Sequence, residues 1–161
     1  MKKVIVVVFG TLLFASPAWA QESQGADKRA FFFGAPGVIM GTDAATMHVG
    51  GGVETVWANG LGFAFDAGYF TGSDFGNGAV SISPAMIYEL PVNGRVKPYV
   101  RGGGTLLANR SHAGLLWTVG GGVNFWFKER MALKVEIRDS FFAEDPGEGL
   151  VDVMVGLVFR F

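Results

Sequence analysis

The sequence predicts an all-β fold, an eight-stranded antiparallel up-and-down transmembrane β-barrel. Three observations predict it. Apolar and polar residues alternate with a period of two over most of the chain, and tight and loose connections separate the alternating runs in strict succession. The composition is also unusual, since 50% of the 161 residues are hydrophobic, only 17% are charged and 25 are glycine. This combination is typical of strands that face lipid on one side and a polar interior on the other.

The first element is an export signal over residues 1–20. Lys2 and Lys3 are followed by an apolar stretch at 4–15, and Ala18-Trp19-Ala20 is a small-x-small cleavage motif. We expect cleavage between Ala20 and Gln21, because the apolar stretch is too short to span a membrane comfortably. Residues 21–29 are polar and are interpreted as an N-terminal leader. Residues 30–161 are assigned to the barrel.

Eight strand-like runs follow the leader. In the clearest, at 131–142, Met131, Leu133, Val135 and Ile137 fall on one face and charged residues fall on the other. Asn59-Gly60 between two runs is a strong signal for a short hairpin. Aromatic residues near the strand ends predict girdles at the two membrane interfaces. The predicted strands are 30–40, 46–57, 61–71, 78–90, 96–108, 114–127, 131–142 and 150–161.

The face opposite the apolar one carries charges of both signs. Buried charges are costly unless they are paired, and eight strands enclose an interior that side chains can fill. The sequence therefore predicts a charge-plugged interior, and a narrow channel for small solutes is the alternative. The predicted interior charges are Glu54, Asp66, Glu89, Arg101, Lys134, Glu136, Arg138, Asp152 and Arg160.

The signal peptide, the segments YVRGGG and GGGVNFWFKERMALKVEIRD, and the terminal VGLVFRF together resemble small outer-membrane β-barrel proteins of the OmpA/OmpX-like type. The resemblance covers most of residues 30–161 and implies an outer-membrane location. It implies that Phe161, with Phe159, is the signal read by the barrel-assembly machinery. The implied partners are outer-membrane lipid, lipopolysaccharide and that machinery, while the surface partner stays unknown.

The residues offer little for catalysis or cofactor binding. The chain has no cysteine, its net charge of -1 gives no basic footprint for nucleic acid, and no spaced His, Asp and Glu set suggests a metal site or a cofactor. Ser111 and His112 lie in one loose connection, but adjacent residues on a strand point in opposite directions, unlike the His-x-Ser spacing of lipid A deacylases. His48 is expected to point inward near the loose connections as a hydrogen-bonded residue of the interior. The acidic residues Glu144, Asp145 and Glu148 predict a solvated loop.

We therefore expect a non-enzymatic outer-membrane barrel with a structural or surface-interaction role, whose contact surface is formed by the loose connections at 71–78, 109–113 and 143–149. Three alternatives stay open at this point. The first is the narrow channel, and the second is a lipid-modifying enzyme. The third is a soluble periplasmic barrel of the lipocalin type, in which the apolar face would point inward.

Overall fold

The computed structural model describes residues 25–42, 44–72, 78–110, 113–142 and 149–161. The predicted signal peptide and its cleavage point at Ala20 and Gln21 lie outside the described residues. So do Ser111, His112 and the acidic segment at 143–148. The described chain folds into strands β1 to β8, in the order Asp27–Met40, Ala44–Val56, Leu61–Gly72, Ala79–Glu89, Val96–Ala108, Ala113–Lys128, Met131–Phe142 and Gly149–Arg160.

The strands form one closed barrel in which every neighbouring pair is antiparallel and follows chain order. Pairing of β1 with β8 closes the sheet, with Arg29 opposite Arg160 and Met40 opposite Gly149. Closure removes the unpaired backbone edges that could not be tolerated in lipid. The eight-stranded up-and-down architecture predicted from the alternation is confirmed.

The two ends of the barrel differ in their connections. At one end, which we call the turn end, the strands are joined by residues 57–60, 90–95 and 129–130. The first of these is a tight turn in which Gly60 has a φ of 85° and its amide donates to the Trp57 carbonyl at 2.9 Å. The other end, which we call the loop end, carries the connections at 41–43, 73–78, 109–112 and 143–148.

The outward face of the barrel is apolar. Phe32 is 66% exposed, Ile137 58% and Leu115 56%, and many further Val, Leu, Met and aromatic side chains are exposed beside them. The inward face carries most of the buried charges. This orientation suits a barrel surrounded by lipid and rules out the inverted, lipocalin-like arrangement, which requires an apolar interior. No helix with the length and apolarity needed to cross a membrane occurs in the described part of the chain.

The structure corrects two details of the predicted strands. Strand β1 begins at Asp27, so the last three residues of the predicted polar leader belong to the barrel. Two of the aromatic residues whose place near a strand end predicted an interface position, Phe70 and Tyr99, are each 3% exposed and point into the barrel. Each of them occupies an inward position in the alternation of its strand, so its side chain points into the barrel although it lies near a strand end.

Several inward positions are glycine because a large side chain occupies the space. A Cβ atom at Gly68 would overlap the imidazole of His48, and one at Gly122 would lie 2.9 Å from the Tyr99 hydroxyl. Glycine in a strand often marks such a close approach. The paired arrangement of glycine and a large residue lets eight strands enclose long polar and aromatic side chains.

Candidate functional site

The lumen of the barrel brings together the charges that the alternation assigned to the interior. Each comes from the inward face of a different part of the sheet, so residues far apart in sequence meet across the lumen. Glu89 and Arg160 lie at the turn-end rim, where their side chains are 13% and 38% exposed. The other seven are buried: Glu54, Asp66, Arg101, Lys134, Glu136, Arg138 and Asp152.

The central cluster consists of Asp66, Tyr99, Arg101, Glu136 and Arg138. Arg101 and Arg138 both bind Asp66, with N to O distances of 2.9 and 3.1 Å. Glu136 accepts hydrogen bonds from Arg138 and from the Tyr99 hydroxyl, and its carboxylate lies 3.5 Å from Arg101. The cluster therefore contains two guanidinium groups and two carboxylates, and these charges balance within the lumen.

The turn-end cluster closes the lumen below the central one. Arg29 binds Glu89 at 2.7 Å and Glu54 at 3.3 Å, and Lys134 binds Glu54 at 2.6 Å. Asp27 bridges Arg29 and Arg160 at 2.7 and 2.6 Å. The six members, three cations and three carboxylates, are Asp27, Arg29, Glu54, Glu89, Lys134 and Arg160.

Aromatic rings lie against two of the buried cations, Lys134 and Arg138. The Lys134 ammonium lies 4.4 Å from the centre of the Phe31 ring and 4.7 Å from that of Tyr99. Arg138 lies 5.4 Å from the Phe33 ring in the same way. Cation–π contacts of this kind contribute more when water is excluded, so they offset part of the cost of burying the charges.

His48 occupies the lumen on the loop-end side of the central cluster. Its ring stacks on Phe70 at a centroid distance of 3.8 Å and meets Phe33 edge-on at 4.8 Å. Its Nε2 lies 3.1 Å from the Ser81 hydroxyl, and its Nδ1 lies 3.7 Å from the Asp152 carboxylate. Side chains from β1, β2, β3, β4 and β8 thus meet at one ring inside the lumen.

A row of hydroxyl groups crosses strands β4 to β7. Ser83 bonds to Thr105 at 2.8 Å, Thr105 to Thr118 at 2.8 Å, and Thr118 to Ser140 at 2.9 Å. All four are buried. Because a hydroxyl can both donate and accept, the row satisfies its own members without a charged partner.

Sequence reasoning missed Asp27 and Arg29, which it assigned to the leader. Arg29 is 1% exposed and binds three carboxylates, so it is central to the turn-end cluster. The signal was present, since continuing the alternation backwards from Phe33 and Phe31 puts both residues on the inward face. The hydroxyl row was missed because single Ser and Thr residues carry no distinctive pattern.

The described residues offer little else for chemistry. No group of three or more His, Asp or Glu side chains in the described ranges is arranged to hold a metal ion. Ser111 and His112, the residues weighed for acyl transfer, lie outside those ranges. His48 lies between Ser81 and Asp152, as the histidine of a hydrolytic triad lies between its serine and its acid. All three side chains are buried, and Ser81 is 0% exposed.

Comparison with known proteins supports the fold. No family model and no curated protein sequence matches the chain. Among solved structures, the chain is similar to the N-terminal β-barrel domain of Pseudomonas aeruginosa OprF, with 19% identity and a TM-score of 0.65 over 87% of this chain and 100% of that domain. It is also similar to Neisserial surface protein A, with 16% identity and a TM-score of 0.62 over 86% of this chain and 100% of that one.

A third similar structure is the outer-membrane enzyme PagL, with 19% identity and a TM-score of 0.55 over 81% of this chain and 99% of that one. A surface protein and an enzyme therefore share this architecture. The chain has the fold of small outer-membrane β-barrel proteins, and the fold is compatible with more than one activity.

Proposed function

We propose that this chain is a non-enzymatic outer-membrane barrel with a closed lumen, which acts as a structural or surface-interaction protein. The observation that carries the proposal is the central cluster. Its two arginines and two carboxylates meet across the lumen, and none of the four is more than 5% exposed. The apolar outward face and the shared fold support a position in the outer membrane.

The closed lumen argues against the narrow channel. A solute would have to pass the turn-end cluster, the central cluster and the stacked His48 in succession. Separating a buried ion pair leaves two uncompensated charges in a low-dielectric interior, which costs several kcal/mol. Two such clusters in series, with the stacked His48 ring beyond them, favour a barrel that does not conduct.

Conductance across a planar bilayer tests the proposal directly. We expect the purified full chain to insert without producing discrete current steps. Arg138→Ala, which shortens a side chain of the central cluster, is compared with Arg130→Gln, an exposed turn residue. Steady wild-type steps whose size changes in Arg138→Ala but not in Arg130→Gln would establish the channel instead.

The contact surface belongs, in this proposal, to the loop end. The segments 71–78, 109–113 and 143–149 join strands there, and loops held by a rigid barrel are common carriers of binding function. Each segment can be shortened to a Gly-Ser linker and the cells compared for attachment to surfaces and host components. Unchanged behaviour after shortening all three, with normal barrel assembly, would leave the structural role as the function.

A lipid-modifying or other hydrolase is the second candidate, because Ser81, His48 and Asp152 have the order of a triad. Nucleophilic catalysis also requires that substrate reach the serine. Since Ser81 is fully buried, we expect the folded chain to resist a fluorophosphonate probe. Labelling that is lost in Ser81→Ala and in His48→Ala, but kept in Ser83→Ala, would support the enzyme.

A further inference from the structure

A cavity of about 420 Å³ opens on the turn-end rim, between the connection at 90–95 and the connection at 129–130. It lies at the turn-end mouth of the lumen and shares Arg160 with the turn-end cluster, but none of its lining residues belongs to the central cluster that carries the proposed function. We call it the rim groove. Its main lining residues are Arg95, Lys97, Trp126, Phe127, Lys128 and Arg160.

The rim groove is strongly basic. Glu129 is its single lining carboxylate, against four lining cations. Two of the cations have other contacts, since Arg160 binds Asp27 at 2.6 Å and Lys97 donates to the Val92 carbonyl at 2.5 Å. Arg95 and Lys128 are exposed and form no salt bridge within the described part of the chain. These two charges are available to an anion.

Trp126 adds an unused hydrogen-bond donor. The residue is 7% exposed, and its indole N–H has no hydrogen-bond partner in the described structure. The ring contacts two guanidinium groups, that of Arg160 at 3.9 Å from its centre and that of Arg29 at 5.2 Å. Buried N–H groups in proteins almost always find an acceptor, so this donor points independently to a ligand that carries one.

An irregularity in β6 gives the groove an apolar edge. The pairing of β6 with β7 shifts register between Trp126 and Lys128, so the ladder is irregular at Phe127. Irregular pairing at a barrel rim can re-aim side chains. Phe127 is 40% exposed and Phe125 43% exposed on the outward, lipid-facing side. The groove therefore combines a cationic floor with an apolar wall that continues into the membrane surface.

We propose that the rim groove binds the phosphate of an anionic phospholipid in the membrane leaflet at the turn end. Arg95 and Lys128 neutralise the phosphate, and the Trp126 N–H donates to one of its oxygens. Phe127 contacts the first part of an acyl chain. The apolar wall is the reason to assign the groove to a lipid headgroup, because free phosphate would make no use of it.

Native mass spectrometry of the full chain, released from detergent micelles containing graded amounts of phosphatidylglycerol, tests the proposal. Phosphatidylcholine at equal concentration is the headgroup control. The double variant Arg95→Gln/Lys128→Gln is compared with Lys28→Gln/Arg130→Gln, which removes the same charge from rim positions that do not line the groove. All variants are first checked for the heat-dependent gel shift of a folded barrel, which reports on the fold independently of lipid binding.

We expect one phosphatidylglycerol to be retained by the wild type and by Lys28→Gln/Arg130→Gln. Retention should weaken about thirtyfold in Arg95→Gln/Lys128→Gln, as two cations near a lipid surface imply. Trp126→Phe, which keeps a ring but loses the donor, should weaken it about fivefold. Equal weakening in the two double variants would overturn the site in favour of diffuse attraction. Displacement by inorganic phosphate at equal concentration would overturn the lipid assignment.

Discussion

Removing one carboxylate from the central cluster should destabilise the barrel more than the small change in side-chain size suggests. In Glu136→Gln the side chain keeps its shape, but Asp66 becomes the single carboxylate that forms salt bridges with Arg101 and Arg138 in the cluster, so the cluster gains a net positive charge. At the 3.5 Å separation between Arg101 and Glu136, the lost attraction is about 5 kcal/mol for an effective dielectric constant near 20. Since the substituted amide retains some hydrogen bonding, we expect a net loss of about 3–5 kcal/mol.

A second substitution separates charge imbalance from loss of packing. Arg138→Met removes a cation from the same cluster, so Glu136→Gln/Arg138→Met leaves Arg101 and Asp66 as a neutral pair. We expect the double variant to be at least about 1 kcal/mol more stable than the sum of the two single losses, which is within the range for coupled neighbours. The exposed Glu129→Gln should change stability by less than about 0.5 kcal/mol.

The assay is urea unfolding in lipid vesicles, followed by the gel mobility of the folded and unfolded chain. The midpoint and slope give the free energy of unfolding for each variant. The reasoning would be refuted if Glu136→Gln unfolded at the wild-type midpoint, or if the two single losses simply added in the double variant. Either result would mean that the cluster is hydrated enough to tolerate a net charge.

The same unfolding assay tests two further positions. Ile137→Arg puts a charge on the outward face near mid-strand and should cost about 2–4 kcal/mol at the bilayer midplane; a loss below about 1 kcal/mol would contradict a lipid-facing position. Gly68→Ala should cost about 1–3 kcal/mol by displacing His48, and His48→Ala in the same chain should recover part of that loss. No recovery would mean that the added methyl group clashes with the backbone and not with the imidazole. Phe161→Ala should lower the heat-modifiable fraction in cells while leaving refolding in vitro unchanged, and equal assembly in cells would remove Phe161 as the assembly signal.

The strands and the orientation of their faces could be predicted because each strand has one face in lipid and the other in the lumen. Apolar and polar residues therefore alternate along its sequence. Seven of the predicted interior charges are buried for that reason. The alternation failed only where composition was allowed to override it. The polar character of residues 21–29 concealed Arg29, and closeness to a strand end concealed the inward direction of Phe70 and Tyr99.

The ion pairs could not be predicted, because alternation gives the direction of a side chain and not its height in the barrel. Glu54 and Lys134 are 80 positions apart and meet only through strand register and barrel shear. Two neighbours on one strand, Lys134 and Glu136, even belong to different clusters. His48 and Ser81 are likewise joined by register, which no local motif records.

The separate neutrality of the two clusters explains how so many charges can remain inside one barrel. In a single long network the positive and negative charges would cancel only over the whole network. Any part of it that moved away from the rest would carry a net charge in a low-dielectric interior, which is costly. Here each cluster balances by itself, and the Phe31 and Tyr99 rings lie against Lys134 between them. Substitution of one member should therefore cost most within its own cluster. Loss of the Asp27 bridge at the rim should accordingly leave the closed central cluster, and with it the barrier to conduction, in place.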